Sequence, residues 1–540
     1  MTEPTSGSAA LRKGARPLEL GAVFALMTVL TVVLLYPQVR HLDRVADRVD
    51  PLFSIWRLAW VAHQLPLAPA HIYDANIFHP EPYALAYSDA MPLTAVSAAP
   101  FLWLGVPPVV VYSLFVLASF VLSGVAMYVF VRYLVGSALA AFVSGVAFAF
   151  YPFRFEHFVH LELLSAFWMP LSLWALHRAL NEPARRWRMG LLAGVALAAQ
   201  FLSGMYFGVF LGAYLVVIGG GLLLAGGRDR VASLKPLLAG ALLAGVLVMP
   251  ALPPYLHVRQ SIGERPKAAV QIYSAQPSDY LAVRHPLPRS GGCNERQVFP
   301  GVLIVVLALL AVWPPVRPVR VIYAVGLAAA FDLSLGSNGI MYPFLYDWCL
   351  PFRGLRAPAR YSMLVGLSLA VLAGFGAARL IESARSRRIR VALAALLCAV
   401  ILAEPRPPVA VEPLPAVPEA YRALKGRPAG AIAELPMLHA VAAQYLYYST
   451  SHWLPMVNGY SGALPKSYRP IHFAVQRFPD DDSLSALRAY GVSHVVLHEE
   501  FYGDRAYHDV IARIEGRPEL VFVSQSTDGR FESRIYALFR

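Results

Sequence analysis

An acidic residue opens an amphipathic segment soon after the first long apolar run of the chain. Asp50 is followed by a proline and then by mostly apolar and aromatic residues up to Trp60. A chain that turns onto a membrane surface at this point holds the carboxylate at the level of the lipid head groups. If the loop faces away from the cytoplasm, the carboxylate meets the polar part of a lipid-linked substrate, where it can move a proton. We therefore predict that Asp50 is a catalytic acid or base.

Two more acids precede Asp50 at helical spacing. Asp43 and Asp47 lie seven and three positions earlier and alternate with Arg44 and Arg48. Residues three or four apart share one face of a helix, so these side chains are interpreted as a solvated, charge-balanced face. A divalent metal at Asp50 stays possible, and no metal ligand is assigned.

Three arginines lead into a later apolar run. They are Arg353, Arg356 and Arg360, and they lie about where the phosphate of a lipid would lie. A guanidinium group can bind two phosphate oxygens at once through two parallel hydrogen bonds. We predict that they bind the phosphate of a lipid-linked donor. Anchoring to anionic lipid head groups is the alternative interpretation.

The remaining candidate substrate contacts are polar or aromatic side chains, mostly in predicted outer loops. Acids and histidines serve as proton-transfer groups or hydrogen-bond partners, and aromatic faces and amides bind sugar rings and hydroxyls. The set comprises Glu156, His160, Asp89, Glu295, Asp332, His452, Trp453 and Asn458.

Several of these residues have a second interpretation. Glu156 and His160 are four apart and can face one site, with His157 assisting, but they equally suit a polar helix cap. Asp89 follows a proline-rich, aromatic loop that is either a lid or a rigid surface turn. Asp332 lies inside an apolar run, where an acid is expensive and usually functional or paired. A lone intramembrane acid favours a substrate site over a proton relay.

The composition places these residues in a membrane protein. The 540 residues are 57% hydrophobic and 15% charged, with a formal net charge of +13 and a mean hydropathy of +0.52. A water-soluble chain of this size would expose a very large apolar surface. The positive excess is interpreted as orienting charge in cytoplasmic loops, so no nucleic-acid partner is expected.

The fold class predicted is a polytopic α-helical membrane protein with about eleven transmembrane helices. Runs of suitable hydrophobicity are read at Leu18–Tyr36, Val109–Val131, Ala138–Phe153, Leu161–Leu176, Met189–Leu202, Tyr206–Leu224, Leu237–Tyr255, Val302–Trp313, Val321–Leu335, Tyr361–Ala377 and Val391–Ala403. Arg-rich links alternate with the N-terminal tail across this set, which predicts a cytoplasmic N-terminus. The piece 91–104 contains two prolines and is predicted to be interfacial or re-entrant.

Three segments are predicted along the chain. Residues 1–404 form the transmembrane domain, with a large first outer loop at 37–90, and residues 405–418 form a proline-rich linker. Residues 419–540 form an extracytoplasmic α/β domain with strands at 431–435, 494–498, 520–524 and 535–538 and helices at 483–490 and 505–514. Cys293 and Cys349 fall in predicted outer loops, either as a disulfide or as two free thiols.

This layout resembles the GT-C superfamily of membrane glycosyltransferases. The likeness rests on the short first helix, the outer loop with an acid near its start, the many spans and the C-terminal outer domain. The stretches 50–56, 354–360 and 457–462 also resemble uncharacterised bacterial members. The resemblance implies that Asp50 is the first-loop acid, a general base or metal ligand. Some members carry two adjacent acids there, whereas Val49 precedes Asp50 in this chain.

The resemblance implies a function on the outer face of a bacterial cell membrane. A sugar would pass from a polyprenyl-phosphate donor to a lipid-linked, glycan or protein acceptor, in contact with membrane lipids. A non-catalytic lipid or glycan transporter and a polysaccharide polymerase are the alternatives. The sequence has no G-x-S-x-G, P-loop or dinucleotide motif, which argues against acyl hydrolases, ATP-driven pumps and redox enzymes.

Overall fold

The computed structural model describes residues 16–283, 295–426 and 430–539. Contacts divide the chain into two compact units. The first, here called the helical unit, comprises Met1–Arg40, Leu114–Pro250 and Glu264–Ala410. The second, the mixed unit, comprises His41–Ser113, Ala251–Gly263 and Val411–Arg540. Cys293 lies outside the described residues, so the predicted choice between a disulfide and two thiols concerns a residue that is not described.

The helical unit consists of apolar helices joined by short turns. Its α-helices are Pro17–Leu34, Tyr36–Arg40, most of Pro108–Val135, Ala138–Ala149, Pro152–Glu156, Leu161–Leu164, Trp168–Asn181, Arg186–Ser203, Met205–Ala225, Arg228–Val231, Leu234–Val248, Lys267–Ile272, Val302–Val312, Pro318–Ser334, Met341–Trp348, Ser362–Ser383 and Arg387–Ala403. Many begin with proline at the first or second position, where the missing N–H has no intrahelical partner to lose.

Six described helical segments are long and apolar enough to cross a membrane. They are Pro17–Leu34, Pro108–Val135, Ala138–Glu156, Met205–Ala225, Asp229–Ile262 and Pro358–Ser383. The chain is therefore a mostly helical, integral membrane protein, and the count of about eleven spans stays a prediction. The segment predicted to be interfacial or re-entrant contains the helix Pro92–Trp103, one of two shorter apolar helices.

Glycines allow two helices of the helical unit to touch along their backbones. Gly190 and Gly194, one turn apart on the helix Arg186–Ser203, face Gly240 on the helix Leu234–Val248. A Cβ atom added to Gly194 would lie 1.9 Å from the carbonyl oxygen of Gly240. Small residues spaced by four are a common contact between membrane helices, because lipid offers no hydrophobic drive to association and close packing must replace it.

The helix Ser362–Ser383 forms the centre of the helical unit. Nearly all of its side chains are buried, and Gly376 lies so close to the helix Val302–Val312 that a Cβ atom would meet the Leu307 carbonyl oxygen at 1.9 Å. A helix that is apolar all round needs such enclosure. The turn Pro358–Tyr361 precedes it and carries Arg360, so a packed helix fixes the position of this arginine.

The mixed unit combines helices with a four-stranded sheet. Its helices are Asp50–Gln64, Pro92–Trp103, Leu252–Ile262, Ala442–Ser449, Tyr468–Ala474, Asp481–Ala489, Glu499–Tyr502 and Asp504–Ile514. The strands are β1 Arg44–Val45, β2 Glu412–Pro413, β3 Ala431–Leu435, β4 Val492–His498, β5 Leu520–Asp528 and β6 Phe531–Leu538. The sheet order is β3-β4-β6-β5, with β3 and β4 parallel and the other pairs antiparallel.

Within the mixed unit, the loop predicted at 37–90 is hydrogen-bonded to the C-terminal part of the chain. The backbone N–H of Phe78 donates to the carbonyl of Asn458 at 2.9 Å, and that of His79 donates to Met456 at 2.8 Å. Met456 in turn donates to the carbonyl of Asn76. Residues 41–113 and 411–540 thus form one compact unit, and the domain boundaries at 404 and 418 stay predictions from composition.

Candidate functional site

Asp50 begins the helix Asp50–Gln64 and accepts a hydrogen bond from a distant tyrosine. The Tyr460 hydroxyl donates to Oδ1 of Asp50 at 3.0 Å, and the Tyr460 ring stands edge-on to Phe53, with centroids 5.2 Å apart. The side chain of Asp47 accepts from the N–H of Val49 at 2.8 Å, which fixes the chain just before the helix. Asp50 is therefore a partly exposed carboxylate held in one orientation, whereas Asp47 serves the local backbone.

A buried arginine lies two turns after Asp50 on the same helix face. Arg57 is 1% exposed, donates to the backbone carbonyl of Asp89 and to the Ser54 hydroxyl at 2.8 Å, and stands 4.3 Å from the Phe53 ring centroid. The sequence prediction missed Arg57. Its spacing of seven residues from Asp50 is the signal that would have found it, because positions i and i+7 share a helix face.

Asp89, a predicted substrate contact, is a buried residue of the mixed unit. It is 8% exposed, and its carboxylate accepts from the N–H of Met91 at 3.3 Å. Burial and the nearby Asp89 charge raise the pKa of Tyr73. The backbone carbonyl of Asp89 thus binds Arg57, and the Asp89 carboxylate adds negative charge close to Tyr73.

Aromatic rings line the Asp50 helix and include the predicted residue Trp453. Phe53, Trp56 and Trp60 stack in sequence, with centroids 5.8 and 6.4 Å apart. Trp453 stacks on His63 at 4.6 Å with an interplanar angle of 13°. Burial lowers the pKa of His63, so its imidazole is neutral at physiological pH. The structure thus places Trp453 against the same helix that carries Asp50.

His452 and Asn458 occupy interior positions of the mixed unit. His452 stacks on Tyr421 at 5.5 Å, its Nδ1 accepts from the N–H of Leu454 at 3.0 Å, and burial lowers its pKa to about 4. Asn458 is 1% exposed, and its amide binds the N–H and C=O of Glu434 at 2.7 and 2.8 Å. The side-chain oxygen and nitrogen of Asn458 therefore bond the backbone N–H and C=O of one residue, Glu434.

In the helical unit, Glu295 and Arg360 form a nearly buried ion pair. Nε of Arg360 donates to both carboxylate oxygens of Glu295 at 3.0 Å, and a second guanidinium nitrogen binds one of them. Nε2 of His157 lies 3.7 Å from Glu295. Burial alone would raise the pKa of Glu295, but the charges of Arg360, His157 and His160 lower it to about 2. The carboxylate therefore stays ionised and neutralises much of the Arg360 charge.

Arg356 and Arg353 have different environments. The Arg356 guanidinium stands 5.2 Å from the Tyr273 ring centroid, and its backbone N–H donates to the Tyr206 hydroxyl at 3.0 Å. Arg360 lies 4.9 Å from the centroid of the same Tyr206 ring, so Tyr206 contacts two predicted phosphate-binding arginines. Arg353 instead donates to Glu264 at 3.1 Å and to the Tyr346 carbonyl.

A cavity of about 390 Å³ opens in the helical unit beside Arg353. Tyr346, whose carbonyl binds Arg353, lines it together with Lys267, Gln271, Ser337 and Tyr342. Lys267 pairs with Asp347 at 2.8 Å and stands 5.3 Å from the Tyr346 ring. The cavity is therefore partly apolar, and the lysine at its edge is paired with an acid.

Three further predicted residues belong to the helical unit. Asp332 accepts from the N–H groups of Ile340 and Met341 at 2.9 and 2.7 Å, so it caps the helix Met341–Trp348. Glu156 ends the helix Pro152–Glu156, and His160 precedes the next one. The helical spacing inferred for Glu156 and His160 is thus interrupted. The His160 ring is nevertheless 5.4 Å from that of His157, and its charge helps to lower the pKa of Glu295.

One group of described residues has the geometry of a metal site. Ligand atoms of Glu499, Asp504 and His508 lie within 4.8 Å of one another in the mixed unit. Asp504 and His508 are exposed, and an exposed acidic group of this kind is common without an ion. Asp50 is outside this group, and a divalent metal at Asp50 stays a prediction.

Solved structures that resemble the chain include membrane glycosyltransferases of the GT-C superfamily. The arabinofuranosyltransferase AftD from Mycobacteria matches with a TM-score of 0.65 and 16% identity over 98% of this chain. ArnT from Cupriavidus metallidurans matches at 0.50 and 14% over 95% of this chain and 98% of its own. The oligosaccharyltransferase AglB from Archaeoglobus fulgidus, solved with an inhibitory peptide and a dolichol-phosphate, matches at 0.50 and 12% over 96% of this chain and 74% of its own.

These similarities establish the GT-C fold. The chain spans 40% of the length of the arabinofuranosyltransferase, and all identities are low. Residues 20–332 match the model of a family described as a domain of unknown function, DUF6311. No curated protein matches the chain.

Proposed function

The chain belongs to the DUF6311 family, and we propose that it is a membrane glycosyltransferase using a polyprenyl-phosphate-linked sugar as donor. The observation that carries the proposal is Asp50, a carboxylate oriented by Tyr460 at the start of a buried helix in a chain with the GT-C fold. The names of two similar proteins describe glycosyl transfer, and one was solved with a dolichol-phosphate, which supports the donor class.

Asp50 acts as the general base in this proposal. The acceptor hydroxyl gives its proton to the carboxylate, its oxygen forms a bond to the anomeric carbon, and the bond from that carbon to the phosphate oxygen breaks. The electron pair leaves with polyprenyl phosphate, so one proton and one sugar move per turnover. The hydrogen bond from Tyr460 orients the carboxylate, and Trp453 and the aromatic rings along the helix offer faces for sugar rings.

The leaving phosphate is stabilised by arginines of the helical unit. Arg356 stands over an aromatic ring and has the stronger claim, because Arg360 is already paired with the ionised Glu295. Arg360 then contributes by orienting the side chain of Tyr206, because Arg360 packs on the Tyr206 ring and the N–H of Arg356 donates to the Tyr206 hydroxyl. Arg353 lies by the cavity lined by Lys267 and Tyr346 and would contact the lipid phosphate on entry.

The reaction takes place on the outer face of a bacterial cell membrane, with the N-terminus in the cytoplasm. The alternation of Arg-rich links supports this orientation. Residues 419–540 would then form the extracytoplasmic α/β part of the chain. The acceptor carries a free hydroxyl on a lipid, a glycan or a protein.

A donor panel tests the proposal. The purified protein in detergent is incubated with radiolabelled polyprenyl-phosphate hexoses and pentoses together with a membrane extract as the source of acceptor. We expect label from one donor class to enter an acceptor with release of polyprenyl phosphate. Reconstituted vesicles that move a labelled lipid-linked sugar across the bilayer without releasing polyprenyl phosphate would instead identify a transporter.

A further inference from the structure

Arg154 is a fully buried arginine that neither the predicted site nor the proposed mechanism uses. It lies in the last turn of the candidate span Ala138–Glu156, and its side chain has 0% exposure. Its Nη2 donates a long hydrogen bond of 3.4 Å to the Ser119 hydroxyl. Its Nε and Nη1 have no hydrogen-bond partner among the residues that the structure describes.

The surroundings of Arg154 do not compensate its charge. The guanidinium lies 4.5 Å from the Phe120 ring centroid, and Phe120 packs against Phe155 and Phe158 at 5.5 and 6.2 Å. A buried charge is costly unless it is paired and hydrogen-bonded. In a membrane-spanning segment such groups are rare and usually mark a substrate pathway. An anion supplied from outside the chain would remove this cost.

Other buried hydrogen-bond donors of the helical unit also lack partners in the described part of the chain. The Tyr151 hydroxyl is buried and unpartnered in the described part of the chain, and so are those of Tyr361 and Ser362. The Tyr151 ring touches the central helix at Gly366, where an added Cβ would lie 2.6 Å from a ring carbon. Gly366 is one turn after Ser362. Buried polar groups normally have hydrogen-bond partners, so these hydroxyls lack an acceptor that a bound anion would supply.

The local charge also favours an anion. His157, three residues after Arg154, is the histidine that contacts Glu295, and the carboxylate of Glu295 is engaged by Arg360 through both oxygens. The carboxylate of Glu295 is therefore already paired. No acid among the described residues is bonded to the Arg154 guanidinium, and in a region of low dielectric an unpaired charge attracts an anion strongly.

We infer that Arg154 binds the phosphate group of a lipid, with the Tyr151 hydroxyl as a second donor. The inference deepens the proposed function, on which it rests for the identity of the lipid as polyprenyl phosphate. The phosphate chemistry could also come from an anionic phospholipid. Because Arg154 is fully enclosed, the side chains of Phe120 and its aromatic neighbours must shift when the phosphate enters.

Lipid-induced stabilisation of the purified protein tests this site without any transfer assay. Thermal unfolding in detergent is measured with undecaprenyl phosphate, with the uncharged undecaprenol and with phosphatidylglycerol. Wild type should be stabilised by undecaprenyl phosphate and not by undecaprenol. If phosphatidylglycerol stabilises it equally, an anionic phospholipid is the source of the phosphate. In either case the shift must require Arg154.

Three variants separate binding from structure. Arg154→Met removes the uncompensated charge, so its Tm without lipid should equal or exceed that of wild type, while the lipid-induced shift should be lost. Arg154→Lys keeps a positive charge and should retain part of the shift. Arg422→Met, which breaks a surface pair with Glu419, should keep all of it and serves as the control.

Two results would overturn the inference. One is an unchanged lipid-induced shift in Arg154→Met, and the other is the lack of any shift with lipid phosphates in wild type. A lower Tm of Arg154→Met with an unchanged shift would assign Arg154 a purely structural role. The proposed function fails separately: wild type that binds undecaprenyl phosphate through Arg154 but transfers no sugar would remove the function and leave the site.

Discussion

The hydroxyl of Tyr460 donates a hydrogen bond to Oδ1 of Asp50 at 3.0 Å, although the two residues are 410 positions apart in the chain. Both belong to the mixed unit. The C-terminal part of the chain therefore contributes directly to the orientation of the proposed base. A carboxylate held in this way has its reacting oxygen positioned before the substrate arrives, which is a substantial part of what catalysis by proximity requires.

Removal of the Tyr460 hydroxyl should reduce transfer more than stability. Tyr460→Phe keeps the edge-on contact with Phe53 but loses the hydrogen bond, whose net contribution to stability is about 1 kcal/mol. Misorientation of a catalytic group costs up to about 100-fold in rate, so we expect kcat to fall by about 10-fold or more. Tyr490→Phe, which loses a bond to the Ser467 carbonyl, is the control and should leave kcat unchanged.

The Glu295–Arg360 pair predicts a strong effect of one substitution on stability. Glu295→Gln leaves the Arg360 guanidinium nearly buried without its counter-ion, and breaking such a pair typically costs about 3–5 kcal/mol. Thermal unfolding in detergent at pH 7 measures the loss. Glu419→Gln breaks an exposed pair with Arg422 and should cost less than about 1 kcal/mol. Equal effects of the two substitutions would contradict the importance of the buried pair.

The same pair predicts how stability depends on pH. The pKa of Glu295 is about 2 in the folded chain, against a reference value of 4.5. A lowered folded-state pKa gives stability that is present above pH 4.5 and is lost as the pH falls toward 2. The difference in Tm between wild type and Glu295→Gln should therefore be constant from pH 7 to about pH 5 and narrow below it. A difference that stays constant down to pH 3 would contradict the assignment.

Close backbone contact at Gly194 predicts sensitivity to any side chain there. Gly194→Leu must displace the Gly240 backbone, because even a Cβ atom would lie 1.9 Å from its carbonyl oxygen. We expect a loss of about 3 kcal/mol or more, at or above the usual range for overpacking. Gly245→Leu, on the partner helix but with no atom within 4 Å, should be tolerated. Detergent-solubilised Tm values measure both.

The double hydrogen bond of Asn458 predicts a stability effect without a binding effect. Asn458→Ala leaves the buried N–H and C=O of Glu434 without their side-chain partner, and each such loss costs about 1–3 kcal/mol. The Tm should fall while the KM for donor and acceptor stays within about twofold of wild type. Trp453→Ala is the comparison, since the removal of a ring that contacts sugar should raise KM instead.

The sequence alone predicted local features better than the partners of the site residues. The four strands of the sheet lie where apolar runs predict them, and Asp50 lies at the start of the predicted amphipathic segment. Periodicity and turn residues encode such elements over a few positions. The ion pair of Glu295 and Arg360 spans 65 residues, and the bond from Tyr460 to Asp50 spans far more. No local pattern encodes these pairings.

Asp332 illustrates the same limit within a short distance. An acid in an apolar run suggests a substrate site, because the run by itself contains nothing to pair with it. The chain turns back immediately after the helix, and the N–H groups of Ile340 and Met341 bind the carboxylate. The partner is a backbone turn whose geometry the residue pattern did not reveal. Arg57 was missed because its partner, the backbone carbonyl of Asp89, lies 32 residues further along the chain.

Sugar transfer by Asp50→Asn, compared with wild type and Asp47→Asn, tests the central claim most directly. Asparagine keeps the size of Asp50 and can still accept from Tyr460, but it cannot take the acceptor proton. Asp47→Asn changes a nearby acid of the same loop, which accepts a hydrogen bond from the N–H of Val49. We predict that Asp50→Asn loses transfer by at least about 100-fold with an unchanged Tm, within the range for general-base removal, while Asp47→Asn stays near wild type. Wild-type transfer by Asp50→Asn would contradict the account.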